Sequence, residues 1–454
     1  MPRLRILDHN EINTLYKIPK FNHEEQVTFF TLTDEDVSYL KELDSNTLAK
    51  IDYILQLGYF RAAQYFFPIS FFKLREDVCF IIEHYFPQTS YPKANVNKRF
   101  YYKNQKKIKE VFNIKPTTKN FLSNLTKHGK ELSKRDIRAK SIFYELLHYC
   151  QKANVMRPSY SAIQKIIILI VKSEKKRLHN KLKALLDRIT KKYLDALLTI
   201  DDVFYTLTLL KKDPKDFSTN EMRKELKKQE YIAIIFERAK TIITKLETSR
   251  QNIQYYASLA EYYEVNKLKS MMKFSRYLYL LCFVWQRFNT INDHLVTYFI
   301  YKINYYIKQA QQYAVEEIYQ AKLEYDEDRV KAGKVLKLIP DKKIEDKELR
   351  NKAFEIVPEK DFEKLVNSLI KPNFDKIFFH WQYYSKNKHR LKTNLRPVFK
   401  VLKFDCKKKE KLLEAIVFLL EHFKGKTKFK DYPKESIPME FFSKKLKHYL
   451  IKKG

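Results

Sequence analysis

The chain has 454 residues, with 89 basic against 54 acidic side chains and a formal charge of +35. Its 44% apolar content, including 33 Phe and 32 Tyr, supplies core for several domains and excludes wholesale disorder, which pairs high charge with few aromatics. Five glycines are too few for Gly-rich phosphate loops, dinucleotide folds or sheets closed by tight hairpins, so an all-α, multi-domain helical chain is expected.

Helices are expected in chain order as follows. Thr33 followed by Asp34, Glu35 and Asp36 reads as an N-cap with an acidic first turn. Asn46 and Thr47 open a stretch whose Leu48, Ile51, Ile54, Leu55 and Phe60 form a wide apolar stripe. Ser70–Tyr85 is another, ended by Pro87 and Pro92. Lys103–Phe112 reads as a short basic helix with Ile108, Val111 and Phe112 inward. Arg157 to Ser161 reads as a turn and cap before Ala162–Val171, and Lys175–Leu198 as a long charged amphipathic helix. Ser218–Lys228, Glu230–Leu246, Ile253–Leu268, Phe274–Ile291 and Val296–Tyr325 follow. Residues 326–362, densely charged and holding Pro340 and Pro358, read as a linker; Phe362–Leu369, Phe374–Tyr384, Leu412–Phe423 and Phe441–Ile451 read as shorter helices.

The charge is uneven. Residues 1–92 carry 9 basic and 13 acidic side chains, whereas residues 93–140 carry 15 and 3. An acidic start followed by a basic block is the footprint of a polyanion binder. Cys79, Cys150, Cys282 and Cys406 lie far apart with no CxxC pair, as expected of buried thiols in a reducing compartment. The longest apolar run, Tyr277–Trp285, is too short for a membrane span, and the start has no signal-peptide pattern. A cytoplasmic, nucleoid-associated protein with no membrane partner is expected.

Catalytic patterns are missing. There is no GxSxG elbow, no GxxxxGK[ST] loop and no HExxH. Asp201 with Asp202 reads as a helix cap, and Asp326, Glu327 and Asp328 as a solvated linker, so no carboxylate set for two metal ions is assigned and no cofactor is expected. The remaining signal is basic residues interleaved with aromatics, Lys98 to Lys103 and then Lys106 to Lys109. Cations there would displace counterions from a phosphate backbone.

Several runs in order resemble the opening part of the Tn-three (class II, replicative) transposases. They are Met1 to Leu7, Phe29–Asp36, Asn46 to Leu48 leading to Gln56 through Arg61, and Lys103–Lys115. Arg157, Pro158, Ser159 and Tyr160 with Ile163 follow, then Leu194 to Leu198, Leu209–Asp216, Arg276 to Phe283 with Asp293, and Phe399 through Leu420 to Phe442. The turn glycine of the family is Ser159 here.

The resemblance implies recognition of an element's terminal inverted repeats by two successive helix-turn-helix-like modules, within about 1–150 and 151–250. A helical linking and dimerising region, 251–454, would follow. The expected phosphate contacts are Arg99, Lys103, Lys106, Lys107 and Lys109 in the first module. In the second they are Arg157, Lys165, Lys175, Lys176 and Arg177. The family's Asp-Asp-Glu domain would lie beyond this sequence, which reads as a split or truncated product that neither nicks nor joins DNA alone. The expected partners are double-stranded DNA, a second copy of the chain and a separate catalytic half. The alternative is a helical protein-interaction scaffold whose basic charge is compositional.

Overall fold

The structure is a computed structural model that describes residues 5–43, 46–201, 203–405, 409–424 and 437–441. It is all-α, with nineteen α-helices and one two-stranded ribbon among the described residues. These fall into two compact units, one drawn from 1–205 with 237–286, the other from 206–236 with 287–454.

In the first unit, α1 (His9–Tyr16), α2 (His23–Phe30) and α3 (Asp34–Glu42) each start at a capping box, with Asp8 and Glu11, Asn22 and Glu25, and Thr33 and Asp36 exchanging side-chain and backbone hydrogen bonds. Helix α4 (Thr47–Ala63), capped by Asn46, is buried on every side from Ile51 to Phe60 and is therefore the centre of a core rather than its wall. Around it pack α2, α3, α5 (Arg75–Tyr85) and α6 (Lys98–Val111) through Phe30, Tyr39, Val78, Ile81 and Ile108. Gly58 marks the closest crossing, since a Cβ there would lie 2.4 Å from Cδ1 of Phe30.

A second core joins the extended start, Ile6 and Leu7, to α7 (Lys119–Arg135), α8 (Ala139–Lys152) and α9 (Tyr160–Leu185). The Tyr160 hydroxyl accepts from the amides of Ile6 and Leu7 at 3.2 and 3.4 Å. Ser159, in place of the turn glycine, caps α9 by accepting from the Ala162 amide.

The chain continues through α10 (Arg188–Ala196), the ribbon β1 (Ile200–Asp201) and β2 (Phe204–Tyr205), α11 (Thr206–Lys211), α12 (Thr219–Leu246), α13 (Arg250–Tyr262) and α14 (Val265–Ser270). Asn252 fastens α13 to the end of α7, donating to the Ser133 carbonyl at 2.8 Å and accepting from the Ile137 amide at 2.7 Å. Then come α15 (Lys273–Leu336), α16 (Asp346–Ile356), α17 (Glu359–Ile370), α18 (Lys376–Val401) and α19 (Glu410–Lys424). In the second unit, Leu395 and Phe399 of α18 and Leu420 of α19 form a core with Phe299 and Ile303 of α15. Buried Glu225 is held by Lys228 at 2.5 Å and by Nδ1 of His294 at 3.0 Å.

Several expected elements merge. Ala162–Val171 and the first part of Lys175–Leu198 form one helix, α9; Asp187 then restarts the chain as α10 by accepting from the Thr190 amide. Two expected helices fuse in α12 and two more in the 64-residue α15, where no glycine or proline interrupts residues 291–296. Ile253–Leu268 divides instead, at Tyr263 and Glu264. The charged stretch 326–362 is largely helical. Its acids pair along helix surfaces, Asp326 with Arg329 and Asp328 with Lys331, while Pro340 falls in the turn after α15 and Pro358 caps α17. Asp201 lies in β1 opposite Phe204 rather than at a helix start, and Val111 is exposed rather than inward. Met1 to Leu4, Asp202, Cys406 with Lys407 and Lys408, Pro433 and Phe442–Ile451 lie outside the described residues.

Candidate nucleic-acid interface

Helix α6 follows the amphipathic rule that one face is core and the other charged. Asn97 caps it by accepting from the Arg99 amide at 3.0 Å. Asn104 and Ile108 are buried against α4, and Arg99, Lys103 and Lys106 are exposed. Lys106 lies 3.9 Å from Glu110, a marginal exposed pair. Lys107 and Lys109 are half-buried. Nζ of Lys103 and Lys107 stand 5.8 and 5.5 Å from the Tyr39 ring centre, and Lys109 stands 5.3 Å from that of Phe66. Their methylene stems cover aromatic surface while the charged heads reach outward.

The stronger basic surface is on α9. Lys165, Lys172, Lys176 and Lys183 are exposed and follow one another at i, i+7, i+11 and i+18, which places them within about 40° of one line at 100° per residue. At 1.5 Å per residue they span about 27 Å of helix surface. None forms an ion pair or hydrogen bond among the described residues. Lys175 is exposed beside them. The opposite face is Ile163, Ile167, Ile170, Leu178 and Leu182, all buried against α7 and α8 or the chain beyond. Lys172 and Lys183 were not among the residues expected from sequence; their spacing relative to Lys165 was the signal.

The two expected arginines of this region serve the fold. Nη2 of Arg157 donates to the Ala63 carbonyl at 2.8 Å, and its guanidinium carbon lies 5.1 and 5.3 Å from the ring centres of Tyr16 and Tyr65. Arg177 donates from Nε and Nη2 to buried Glu174 at 2.8 and 2.7 Å, and from Nη1 to the Leu246 carbonyl at 3.1 Å. Arg177 is therefore spent on internal acceptors, while Arg157 is half-buried between two rings with one internal acceptor and its Nε enclosed without a partner.

Among the described residues, no group of three or more His, Cys, Asp or Glu is placed to hold a metal ion, and no helix is long and apolar enough to cross a membrane. Cys79, Cys150 and Cys282 are free; burial pushes the Cys150 thiol up to about 11 and the fully enclosed Cys282 thiol higher still.

Residues 6–170, roughly a third of the chain, match a family model described as a domain of unknown function, DUF4158. No curated protein matches the sequence. The matched span takes in both cores of the first unit: the buried residues of the second run from Ile6 to Ile170, and those of the α4-centred core lie between them in sequence.

Proposed function

We propose that this chain is the DNA-binding part of a replicative transposase of the Tn-three type, which binds terminal inverted repeats and is held to their backbone by contacts from α6 and α9. The observation that carries the reading is the line of four unpaired lysines along α9. A row of fixed cations on a rigid helix tracks a phosphate backbone, and each contact releases a condensed counterion. Helix α6 adds Arg99, Lys103 and Lys106. The order of sequence runs resembling the transposases supplies the choice of element ends as the target. Arg157 and Arg177 are left out of the contact set, because Arg177 is engaged by internal acceptors and Arg157 is half-buried against the Ala63 carbonyl, Tyr16 and Tyr65.

Gel shifts with an inverted-repeat duplex and a scrambled duplex test the reading across a salt series. Tighter binding to the repeat supports it; equal affinity at every salt concentration reduces it to charge-driven binding. Replacing Lys165, Lys172 and Lys176 by Gln should flatten the slope of log affinity against log salt by about 0.9 per lost contact, on both duplexes alike. A change in sequence preference would instead assign one of these lysines to base reading.

A scaffold reading has its own observation. On α15, exposed Tyr301, Tyr305, Val315, Tyr319, Leu323 and Val330 lie within about 80° of one another around the helix. Charge along this stripe is segregated. Residues 297–314 hold Lys302 and Lys308 and no acid, whereas residues 315–331 hold six acids against Lys322, Arg329 and Lys331. A second copy laid antiparallel sets the basic half against the acidic half and covers the apolar line. Light scattering behind size exclusion should therefore give a dimer mass for the wild type and a monomer mass for Val315→Glu with Leu323→Glu. A monomeric wild type would remove this partner.

A further inference from the structure

We infer that the cleft between the turn at residues 70–74 with the start of α5 and the loop at residues 91–95 is a stacking site for an unpaired nucleotide of a DNA strand. The inference rests on the DNA-binding reading and adds a second, chemically different contact to it. The cleft is open, about 410 Å³ in volume, and lined by Phe72, Arg75, Tyr91, Pro92 and Lys93.

Its walls are held in place. Phe71 is fully buried and anchors its loop in the α4-centred core, which leaves the next residue, Phe72, 60% exposed. The Phe71 amide donates to Oδ1 of Asn95 at 2.8 Å, and the Tyr91 hydroxyl donates to the Phe71 carbonyl at 2.6 Å. Two hydrogen bonds thus staple one loop to the other, and the aromatic walls are preorganised rather than floppy.

The chemistry of the lining selects the ligand. The exposed Phe72 ring is the surface on which a base can stack, with Tyr91 walling the cleft beside it, and every base has a π-face, so stacking needs no particular sequence. Arg75 lies 5.9 Å from the Tyr91 ring centre, and neither Arg75 nor Lys93 has a carboxylate partner among the described residues. An aromatic platform flanked by two unpaired cations fits a base with its phosphate and disfavours an acidic-free apolar ligand or a cation. The position agrees. Asn97, two residues beyond the stapling Asn95, caps α6, so the loop that walls the cleft leads directly into the helix bearing Arg99 and Lys103.

Fluorescence anisotropy on the full chain decides it, with a blunt duplex and the same duplex carrying a single-stranded overhang as probes. The wild type should bind the overhang probe about tenfold more tightly, the worth of one stacked base. Phe72→Ala should abolish that gain and leave blunt-duplex binding unchanged; Phe72→Trp, which keeps a ring, should restore it. Equal binding of the two probes by the wild type, or an equal loss on both for Phe72→Ala, overturns the stacking site while leaving the DNA-binding reading intact. Binding of neither probe overturns both.

Discussion

The contribution of Asp52 to stability should fall by about 3 kcal/mol as the pH rises from about 4 to about 7. Asp52 is fully buried between α4 and α6. Its Oδ2 accepts from Nδ2 of Asn104 at 2.8 Å and from Nε2 of Gln56 at 2.5 Å, with no cation close by, while Oδ1 has no partner among the described residues. Burial dominates those two hydrogen bonds and pushes the carboxyl up from 3.8 to about 6. The folded state thus holds this proton more tightly than the unfolded chain does. The resulting stabilisation is complete below pH 4 and lost as the pH passes through 6. Protonation also answers a local deficit. Oδ1 of Asp52 is buried without a donor, and a proton there removes the charge from an acceptor that nothing else satisfies. Asp36, whose burial is outweighed by hydrogen bonds from Thr33 and Tyr53 and by the Arg61 guanidinium, is held low and slopes the other way in acid. The measurement is therefore a difference. Urea midpoints of wild type and Asp52→Asn, followed from pH 4 to 8, should converge in acid and separate in favour of the variant above pH 6. Parallel curves would show that the carboxyl titrates normally.

That network was not legible from the amino-acid order. Asn104 reads as one more polar residue of a basic helix, and only the crossing of α6 over α4 makes it the partner of Ala49, Asp52 and Tyr39. What local chemistry dictates was legible. Thr33 with its acidic first turn gives the start of α3, and the apolar run after Asn46 gives the central helix. The case of α9 shows where such reading stops. Its buried line runs Ile163, Ile167, Ile170, Glu174, Leu178, Leu182, and the fourth member is a carboxylate. A search for apolar periodicity breaks at Glu174, so the segment reads as two helices. Glu174 keeps the register because Arg177, three residues on, supplies its counter-charge. With the helix broken there, the lysines at 165, 172, 176 and 183 cannot be seen as one line. Conversely, Lys107 and Lys109 look as free as Lys106 in sequence, and their aromatic neighbours Tyr39 and Phe66 are brought up by other helices.

Arg157→Ala should lower the stability of the first unit by about 2–4 kcal/mol, which makes it the most damaging substitution at any of the expected DNA contacts. Helix α4 ends at Gln64 in a left-handed conformation, φ 51°, and the carbonyl of Ala63 is capped from a distance of 94 residues by Nη2 of Arg157. The guanidinium also lies beside two tyrosines, themselves in edge contact at 5.5 Å, one belonging to each of the two cores of residues 6–170. Tyr16 completes the arrangement by donating its hydroxyl to the carbonyl of Pro158 at 3.1 Å, and burial raises that phenol well above its usual range. One side chain therefore rivets the α4-centred core to the core of α7, α8 and α9. Truncation removes the hydrogen bond and both cation–π contacts and leaves space between rings that cannot close over it. Arg157→Lys is the sharper test. A lysine keeps the charge but loses the planar fork that reaches the carbonyl while lying against two aromatic faces. If the residue acted only on phosphate, Lys would preserve both stability and DNA affinity. As a rivet, it should lower the urea midpoint nearly as far as Ala does, while the salt dependence of duplex binding by the folded fraction stays that of the wild type. A wild-type midpoint for Arg157→Lys combined with a shallower salt slope would return Arg157 to the DNA surface.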